Sequence, residues 1–592
     1  MLLRLLGGIT ARLADRTASV PPALAGSLAL VLLSAFAYRD LLGGGMILTG
    51  DTMHAMRIFE MHRCLDDWQI PCRWTPDLGN GYGFPLFNYY PPLPYFVGDL
   101  LHRLGLSYLR AVDALFVLGL VGAGLAMFAL ARRLWGDLGG LVSAVAYVYA
   151  PYLALDVYMR GALVELWGLA FAPALLWAVH ELVTTGRARF VPLVALFAAL
   201  LMLSHTLVAL IMMPVVALWA AALLLSRGQE AWRPALLGGA GALWGLGLAA
   251  FFILPVLSEG DLVQLDNLAR GPFHYSRHFV SVRDLFLLRT ADYSFLLGGR
   301  EGTPIQIGWF HWAAVGLSLP AALLFLRARQ WQAGLAVLLF AAFFAIGVFM
   351  TISPSRFIWD AFQSLRFLQF PWRYLGLVSL ASAGLAGAWL GVLRGRPLWA
   401  QLLTAGALIG VFIGTGEMFF QPLHRCTVSP ERAIPCAGSD SEYFSDAYFP
   451  NPKLASINDY LPAAVDLIPA QPPERPARVI QGSARILNAS AGTDSLSLEI
   501  EAAGPARVEA ALFDFPDWRV EIDGLPAPHT ASKPNGLVTF DVPDGVHLVE
   551  LRLEDTAVRR WGNRVSLAAW AALALAGPAM LLAPRLQRWR GG

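Results

Sequence analysis

The chain has 592 residues, 56% of them apolar and only 15% charged, with a mean hydropathy of +0.54. Soluble domains are typically about 45–50% apolar and about 25% charged, so a soluble globular protein is excluded. The net charge of +2 carries no signal for nucleic acid; where the arginines sit carries more.

Apolar blocks of roughly 18–25 residues, enough to cross about 30 Å of hydrocarbon at 1.5 Å per residue, predict about twelve transmembrane helices. They lie near 20–40, 108–131, 138–154, 164–183, 190–205, 207–225, 235–257, 309–326, 332–352, 374–393, 398–419 and 563–584. The first follows Arg4, Arg12 and Arg16 and lacks a small-residue cleavage site, so an anchor is expected there and not a signal peptide. Alternate loops carry Arg132/Arg133, Arg187/Arg189, Arg227/Arg233, Arg327/Arg329 and Arg394/Arg396, and the tail carries Arg585, Arg588 and Arg590. With the N-terminus these tips hold 16 arginines against Asp15, Asp137 and Glu230. The positive-inside rule then places both termini in the cytoplasm of a bacterial inner membrane, with the large loops periplasmic.

The first outer loop, 41–107, opens on Asp51 in ILTGDTMHAMR. An ionisable group at the membrane boundary is costly and usually functional. Residues 52–66 predict an amphipathic helix with Met53, Met56, Phe59 and Leu65 on its apolar face. His54 and Arg57 then follow Asp51 at i+3 and i+6, and a helix cap is the alternative role for Asp51. Residues 92–105 are apolar but short, broken by Asp99, His102 and Arg103, and are expected to lie in the interface. GNGYGFPLFNYYPPLP between them predicts a structured turn at headgroup level.

Further along, DVYMRGALVELWG places Asp156, Tyr158, Arg160 and Glu165 in the short outer turn between the third and fourth spans. Glu165 also suits the positive end of the helix it opens. His205, in MLSHTL at the outer end of the fifth span, is either a helix-end histidine or part of a site. The outer loop 258–308 mixes Arg270, His274, Arg277, His278, Arg283 and Arg300 with acids, and its length marks it as functional or disordered. SLRFLQFPWRYLG sets Arg366 and Arg373 beside interfacial aromatics, an anchor or a holder of a lipid phosphate.

The last outer element, 420–560, alternates in strand fashion through SLSLEIEA, RVEAALFDF, WRVEIDG, GLVTFDV and VHLVELRLE. A small antiparallel β-sandwich is predicted before the last helix, with Trp518 as either a sugar platform or core. All four cysteines lie in outer loops, and their short spacings suit disulfides Cys64–Cys72 and Cys426–Cys436, with free thiols as the alternative. No P-loop, GxSxG, HExxH, Cys/His metal spacing or internal repeat occurs.

The carboxylate directly after the first span, the outer loop with interfacial helices, more than ten spans and a terminal outer domain together resemble the GT-C superfamily of membrane glycosyltransferases. RFLQFPWRYL, the Tyr-x-Arg-Gly-Ala-x-x-Glu run at 158–165 and FPDWRVEIDGLPAP resemble the YfhO-like and 6-pyruvoyl-tetrahydropterin synthase-related bacterial membrane proteins. The resemblance implies a mainly α polytopic GT-C-like domain over 1–419, a periplasmic β-rich domain over 420–560, and a final helix with basic tail over 561–592. It implies transfer from a polyprenyl-phosphate sugar donor to a glycan, lipid or protein acceptor, with membrane lipids as neighbours and no nucleic acid. In such enzymes Asp51 would be the base, with Glu165 a second acid. His54, Arg57, Tyr158, Arg160, His205, Arg366 and Arg373 would bind substrate. Asp51, Asp156 and Glu165 are the candidate ligands for a divalent metal such as Mg or Mn. The Asp-x-Asp form of metal-dependent members is missing, so metal-independent or weakly metal-dependent direct displacement is expected. The alternatives are a lipid-linked sugar flippase and a non-catalytic component of a glycan-assembly system.

Overall fold

The computed structural model describes residues 21–286, 305–422, 437–445 and 460–589; Cys426, Cys436 and Arg300 lie outside them. Among the described residues seven helices are long and apolar enough to cross a membrane, or nine if each of two bent pairs is one span. The bent pairs are Pro22–Leu33 with Ala35–Gly43 (43°) and Gly228–Leu248 with Ala250–Ser258 (78°).

Twelve spans were expected, and the difference has local causes. Predicted spans 108–131 and 138–154 are largely the two arms of the stretch Tyr108–Val148, which reverses at Gly136 (φ 83°, ψ 178°) and so is counted once by length although Gly124 packs on Val148. Glycine is needed there both for that backbone and because a β-carbon would stand 3.0 Å from the Arg394 guanidinium. Predicted span 190–205 is a 14-residue helix, Val191–Ser204, short for a crossing. The helix Ala557–Trp589 covers predicted span 563–584 but is not among those counted as apolar enough.

Leu163–Thr185 and Pro371–Val392 are each 89% buried over their apolar windows, which makes them the centre of the bundle, whereas Leu398–Phe419 is 11% buried and peripheral. Indole donors tie the central helices together: Trp167 Nε1 to the Leu115 carbonyl at 3.0 Å and Trp135 Nε1 to the Gly384 carbonyl at 2.6 Å. The arginine tips gather at one end. Arg394 donates to the Leu134 and Trp135 carbonyls at 3.2 Å, Arg227 donates to the Val183 and Thr184 carbonyls at 3.0 and 2.8 Å, and Arg133 pairs with Glu181. The Arg394 and Arg227 contacts satisfy orphan carbonyls at helix C-termini. Arg132 stands 24 helical residues from Tyr108, roughly 36 Å at 1.5 Å per residue, so the loops near Tyr108 occupy the opposite end.

At that opposite end lies the β region. Its strands are β1 (Ala477–Gln481), β2 (Ala484–Ala491), β3 (Ser495–Ala502), β4 (Ala506–Phe513), β5 (Trp518–Ile522), β6 (Leu525–Ala527), β7 (His529–Ala531), β8 (Leu537–Val542) and β9 (Gly545–Leu553). They form two antiparallel sheets, ordered β1-β4-β8-β7 and β2-β3-β9-β5-β6. The period-two pattern is obeyed: Leu496, Leu498 and Ile500 of β3 are buried while Glu499 and Glu501 are exposed. Trp518 is core, edge-on to Trp74 of the first loop with ring centroids 5.3 Å apart, so it offers no sugar platform. The same face is fixed by Phe513 N to the Tyr82 carbonyl (3.1 Å) and by Thr493 Oγ1 to Asp67 Oδ2 (2.8 Å). A disulfide, Cys64–Cys72, ties the first-loop helix to the Trp74 segment.

Candidate functional site

Two backbone segments cross at the head of the bundle. Gly50 N donates to the Met159 carbonyl at 2.7 Å and Asp51 N to the Arg160 carbonyl at 2.9 Å. The crossing is tight at Gly161 (φ +64°), where a β-carbon would stand 2.3 Å from Thr49 Oγ1 and 2.8 Å from the Asp51 carbonyl oxygen. This contact joins the loop after the first bent pair to the turn before the central helix Leu163–Thr185.

On one side stands Asp51. The predicted helix is present as His54–Asp66, with Met53 at its cap position and no side-chain cap bond. Asp51 therefore does not cap the helix proper: its Oδ1 accepts from Met53 N at 3.0 Å and its Oδ2 from Arg57 Nη1 at 2.8 Å. Arg57 and His54 are buried, and the Arg57 guanidinium lies 4.5 Å from the Tyr90 ring centroid. His54 Nε2 is 2.5 Å from the Gly161 carbonyl oxygen and Nδ1 is 3.0 Å from Tyr95 Oη. A carbonyl only accepts, so Nε2 carries the proton and Nδ1 of the neutral ring accepts from Tyr95. Burial lowers the His54 pKa against the opposing pull of Asp51. For Asp51 burial acts upward, but the Arg57 and His54 charges and the bonds from Arg57 and Met53 outweigh it and hold the carboxyl at about 2. It is thus ionised, and its side chain is 30% exposed into a small cleft of about 40 Å³.

On the other side the charges are sealed in. Arg160 pairs with Asp156 and donates through Nη2 to Glu165 Oε2 at 2.8 Å. Tyr152 Oη donates to Glu165 Oε1 at 2.5 Å, and Arg373 Nε lies 3.5 Å from Glu165 Oε2. The Arg160 guanidinium rests 4.6 Å from the Trp372 ring centroid. Burial, then the Glu165 charge, raise the Asp156 carboxyl well above the ordinary carboxylate range. Two guanidiniums and two carboxylates thus share one buried cluster, with Arg160 between Asp156 and Glu165 and Arg373 on the far side of Glu165. Glu165 and Arg373 open the two most buried spans, and Tyr90 packs on Arg57 and Tyr95.

Of the residues singled out from sequence, Asp51, His54 and Arg57 form the first cluster, and Asp156, Arg160, Glu165 and Arg373 the second. His205 is buried at the break before Thr206–Leu225, where its Nδ1 accepts from Val208 N at 3.0 Å; its ring caps a helix. Tyr158 is fully buried and donates to the Ala37 carbonyl at 2.8 Å, bracing the first bent pair. Arg366 stands apart, 42% exposed and 3.5 Å from Asp266 Oδ1. Among the described residues no group of three or more His, Cys, Asp or Glu side chains is arranged to hold a metal ion. Asp156 and Glu165 are both engaged by Arg160, so the proposed ligand set Asp51, Asp156 and Glu165 does not fit a divalent ion in this arrangement. Nothing in the sequence separates Tyr90, Tyr95, Tyr152 and Trp372 from the many other interfacial aromatics.

Residues 87–370 match the model of a membrane-protein family described as 6-pyruvoyl-tetrahydropterin synthase related domain, a family expected from the runs at 158–165, 366–375 and 515–528 together. That stretch includes Asp156, Arg160, Glu165 and His205, and leaves out Asp51, His54, Arg57 and Arg373. Among solved structures the chain is similar to arabinofuranosyltransferase AftD from Mycobacteria, at 15% identity and TM-score 0.39, over 67% of this chain and 27% of that one. It is also similar to the Archaeoglobus fulgidus oligosaccharyltransferase tethered to an acceptor peptide, at 13% identity and TM-score 0.41, over 70% and 56%. A third is that organism's AglB with an inhibitory peptide and a dolichol-phosphate, at 12% identity and TM-score 0.38, over 67% and 55%. The chain thus spans 27% to 56% of the length of these proteins. No curated protein matches it in sequence.

Proposed function

We propose that the chain is a membrane glycosyltransferase of GT-C type, moving a sugar from a polyprenyl-phosphate donor to a hydroxyl acceptor at the outer face of a bacterial inner membrane. The observation that carries this reading is Asp51, an ionised, part-exposed carboxylate at a cleft, whose backbone is bonded to the turn that carries the buried Arg160–Asp156–Glu165 cluster. The acceptor oxygen attacks the anomeric carbon, the bond from that carbon to the phosphate oxygen breaks, and its electron pair leaves with polyprenyl phosphate. The acceptor proton passes to the Asp51 carboxylate and on to solvent. An Asp51 held near 2 is a weak base, so its main work is to orient the hydroxyl and take the proton late, as positive charge builds on the oxygen. Arg160 and Arg373 stabilise the departing phosphate, and Glu165 and Asp156 position them.

The outer location is supported by the gathering of the arginine tips at the end opposite Asp51. Purified protein supplied with radiolabelled polyprenyl-phosphate sugars and a membrane extract as acceptor is expected to release free polyprenyl phosphate. No release from any donor would contradict the reading.

A further inference from the structure

We infer that the rim formed by residues 273–286 and 353–362 binds the headgroups of anionic phospholipids in the surrounding membrane. The inference stands apart from the glycosyltransferase reading.

Two short helices build the rim, and each buries one side and exposes the other. Val282–Phe286 buries Leu285 and leaves Val282 52% and Phe286 46% exposed. Arg356–Ala361 buries Trp359 and leaves Phe357 65% exposed, with Phe362 just beyond it at 61%. The segments are bonded together: Val280 N donates to the Thr351 carbonyl at 3.1 Å, and the Tyr275 ring stacks on Trp359 with centroids 5.4 Å apart. Phe370 ties the rim to the end of the bundle that holds the Arg160–Asp156–Glu165 cluster. Its ring lies 6.4 Å from Phe273 and stacks on Trp372 at 4.7 Å.

This apolar edge meets the outward surface of two candidate spans. Phe286 stacks on Trp312 at 4.2 Å, and its carbonyl accepts from the indole of Trp309, which is 62% exposed. Both tryptophans belong to the first turn of Trp309–Arg327. Phe357 lies 6.4 Å from Phe349, which is 37% exposed near the end of Trp331–Thr351. Aromatic rings continuous with such helices belong at the headgroup level of a bilayer. A free phosphate or other small anion would leave that edge in water, whereas a lipid covers it.

Charge then selects among lipids. Across 265–286 and 353–368 there are five arginines against Asp266, Asp284 and Asp360. Arg270 and Arg366 share Asp266, and Arg356 shares Asp360 with the Tyr275 hydroxyl. Arg277 and Arg283 are exposed and have no acidic partner among the described residues. Arg283 stands three residues before Phe286 on one short helix, so cation and ring share a face. A zwitterionic headgroup brings no net charge to this surplus. A phosphatidylglycerol phosphate accepts paired guanidinium N–H bonds and cancels it.

The test reconstitutes the full chain in phosphatidylcholine vesicles with a trace of lipid carrying a photoreactive group beside its phosphate. The trace lipid is either phosphatidylglycerol or phosphatidylcholine, and crosslinked peptides are mapped by mass spectrometry. Peptides covering 273–286 and 353–362 are expected to capture phosphatidylglycerol at least about fivefold more than phosphatidylcholine. Arg277→Glu/Arg283→Glu/Arg356→Glu should abolish that preference while capture at the Arg227 and Arg394 tips stays as in the wild type, which also shows the variant folded. Equal capture of the two lipids at the wild-type rim overturns the inference without any variant. A preference that survives the triple substitution overturns it as well.

Discussion

Glu165 takes bonds from Tyr152 and Arg160 and faces Arg373, with a side chain only 2% exposed. Replacing it with glutamine removes the charge that compensates two buried guanidiniums, and breaking a buried pair in this way costs about 3–5 kcal/mol. Glu165→Gln should therefore lower the thermal midpoint in detergent sharply, and donor turnover should fall with it. Asp51 gives a different signature. Its folded pKa of about 2 lies below the ordinary 3.8, so its contribution to stability is fully present above pH 4 and is lost as pH falls from about 4 towards 2. Thermal midpoints measured down that range should drop more in the wild type than in Asp51→Asn, and Asp51 should give the activity profile no inflection between pH 5 and 8. These residues were legible in the sequence because a carboxylate or guanidinium at membrane depth is expensive and stands out. Tyr95 and Tyr152 were not, since nothing in their local sequence separates a hydroxyl that bonds His54 or Glu165 from an aromatic that merely marks the interface.

The crossing at Gly161 is where two elements become one site. Gly161→Ala would place a methyl group within 2.3 Å of Thr49 Oγ1 in a left-handed conformation, costing about 1–2 kcal/mol for the backbone alone. It should reduce turnover at least tenfold while leaving every ionisable group in place, as a comparison of kcat with expression level would show. At this scale the long apolar runs and the period-two strands were readable, because length and alternation follow from the bilayer and the pleat. The full span count was not, since hydropathy cannot see that Val191–Ser204 stops at 14 residues, whereas the reversal at Gly136 keeps the two arms of Tyr108–Val148 apart as their separate apolar runs suggest. Strands β1, β2, β6 and β7 escaped: β6 and β7 have three residues each, and β1 and β2 are too exposed to show an alternating apolar face.

Across the whole molecule, the β region is latched to the first loop by side chains far apart in sequence. Arg73 Nε lies 2.9 Å from Asp555 Oδ1, and its Nη groups donate to Asn88 and Asn563 at 2.6 and 2.7 Å. Nearby, Arg559 Nε donates to Glu259 Oε2 at 2.8 Å. No spacing in the sequence announces these pairs, because each partner comes from a different loop. Arg73→Ala should loosen the β region, seen as severalfold faster limited proteolysis near residues 553–557 with the helical bundle intact. The latch matters because the helix carrying Asp51's partner Arg57 is held beneath that region through Cys64–Cys72 and Trp74. The account depends most on the Asp51 carboxylate, and Asp51→Asn tests it most directly, assayed beside the wild type for polyprenyl phosphate released from radiolabelled donors. With the variant folded and inserted as the wild type is, a loss of about a hundredfold or more is expected; turnover close to wild type would contradict the account.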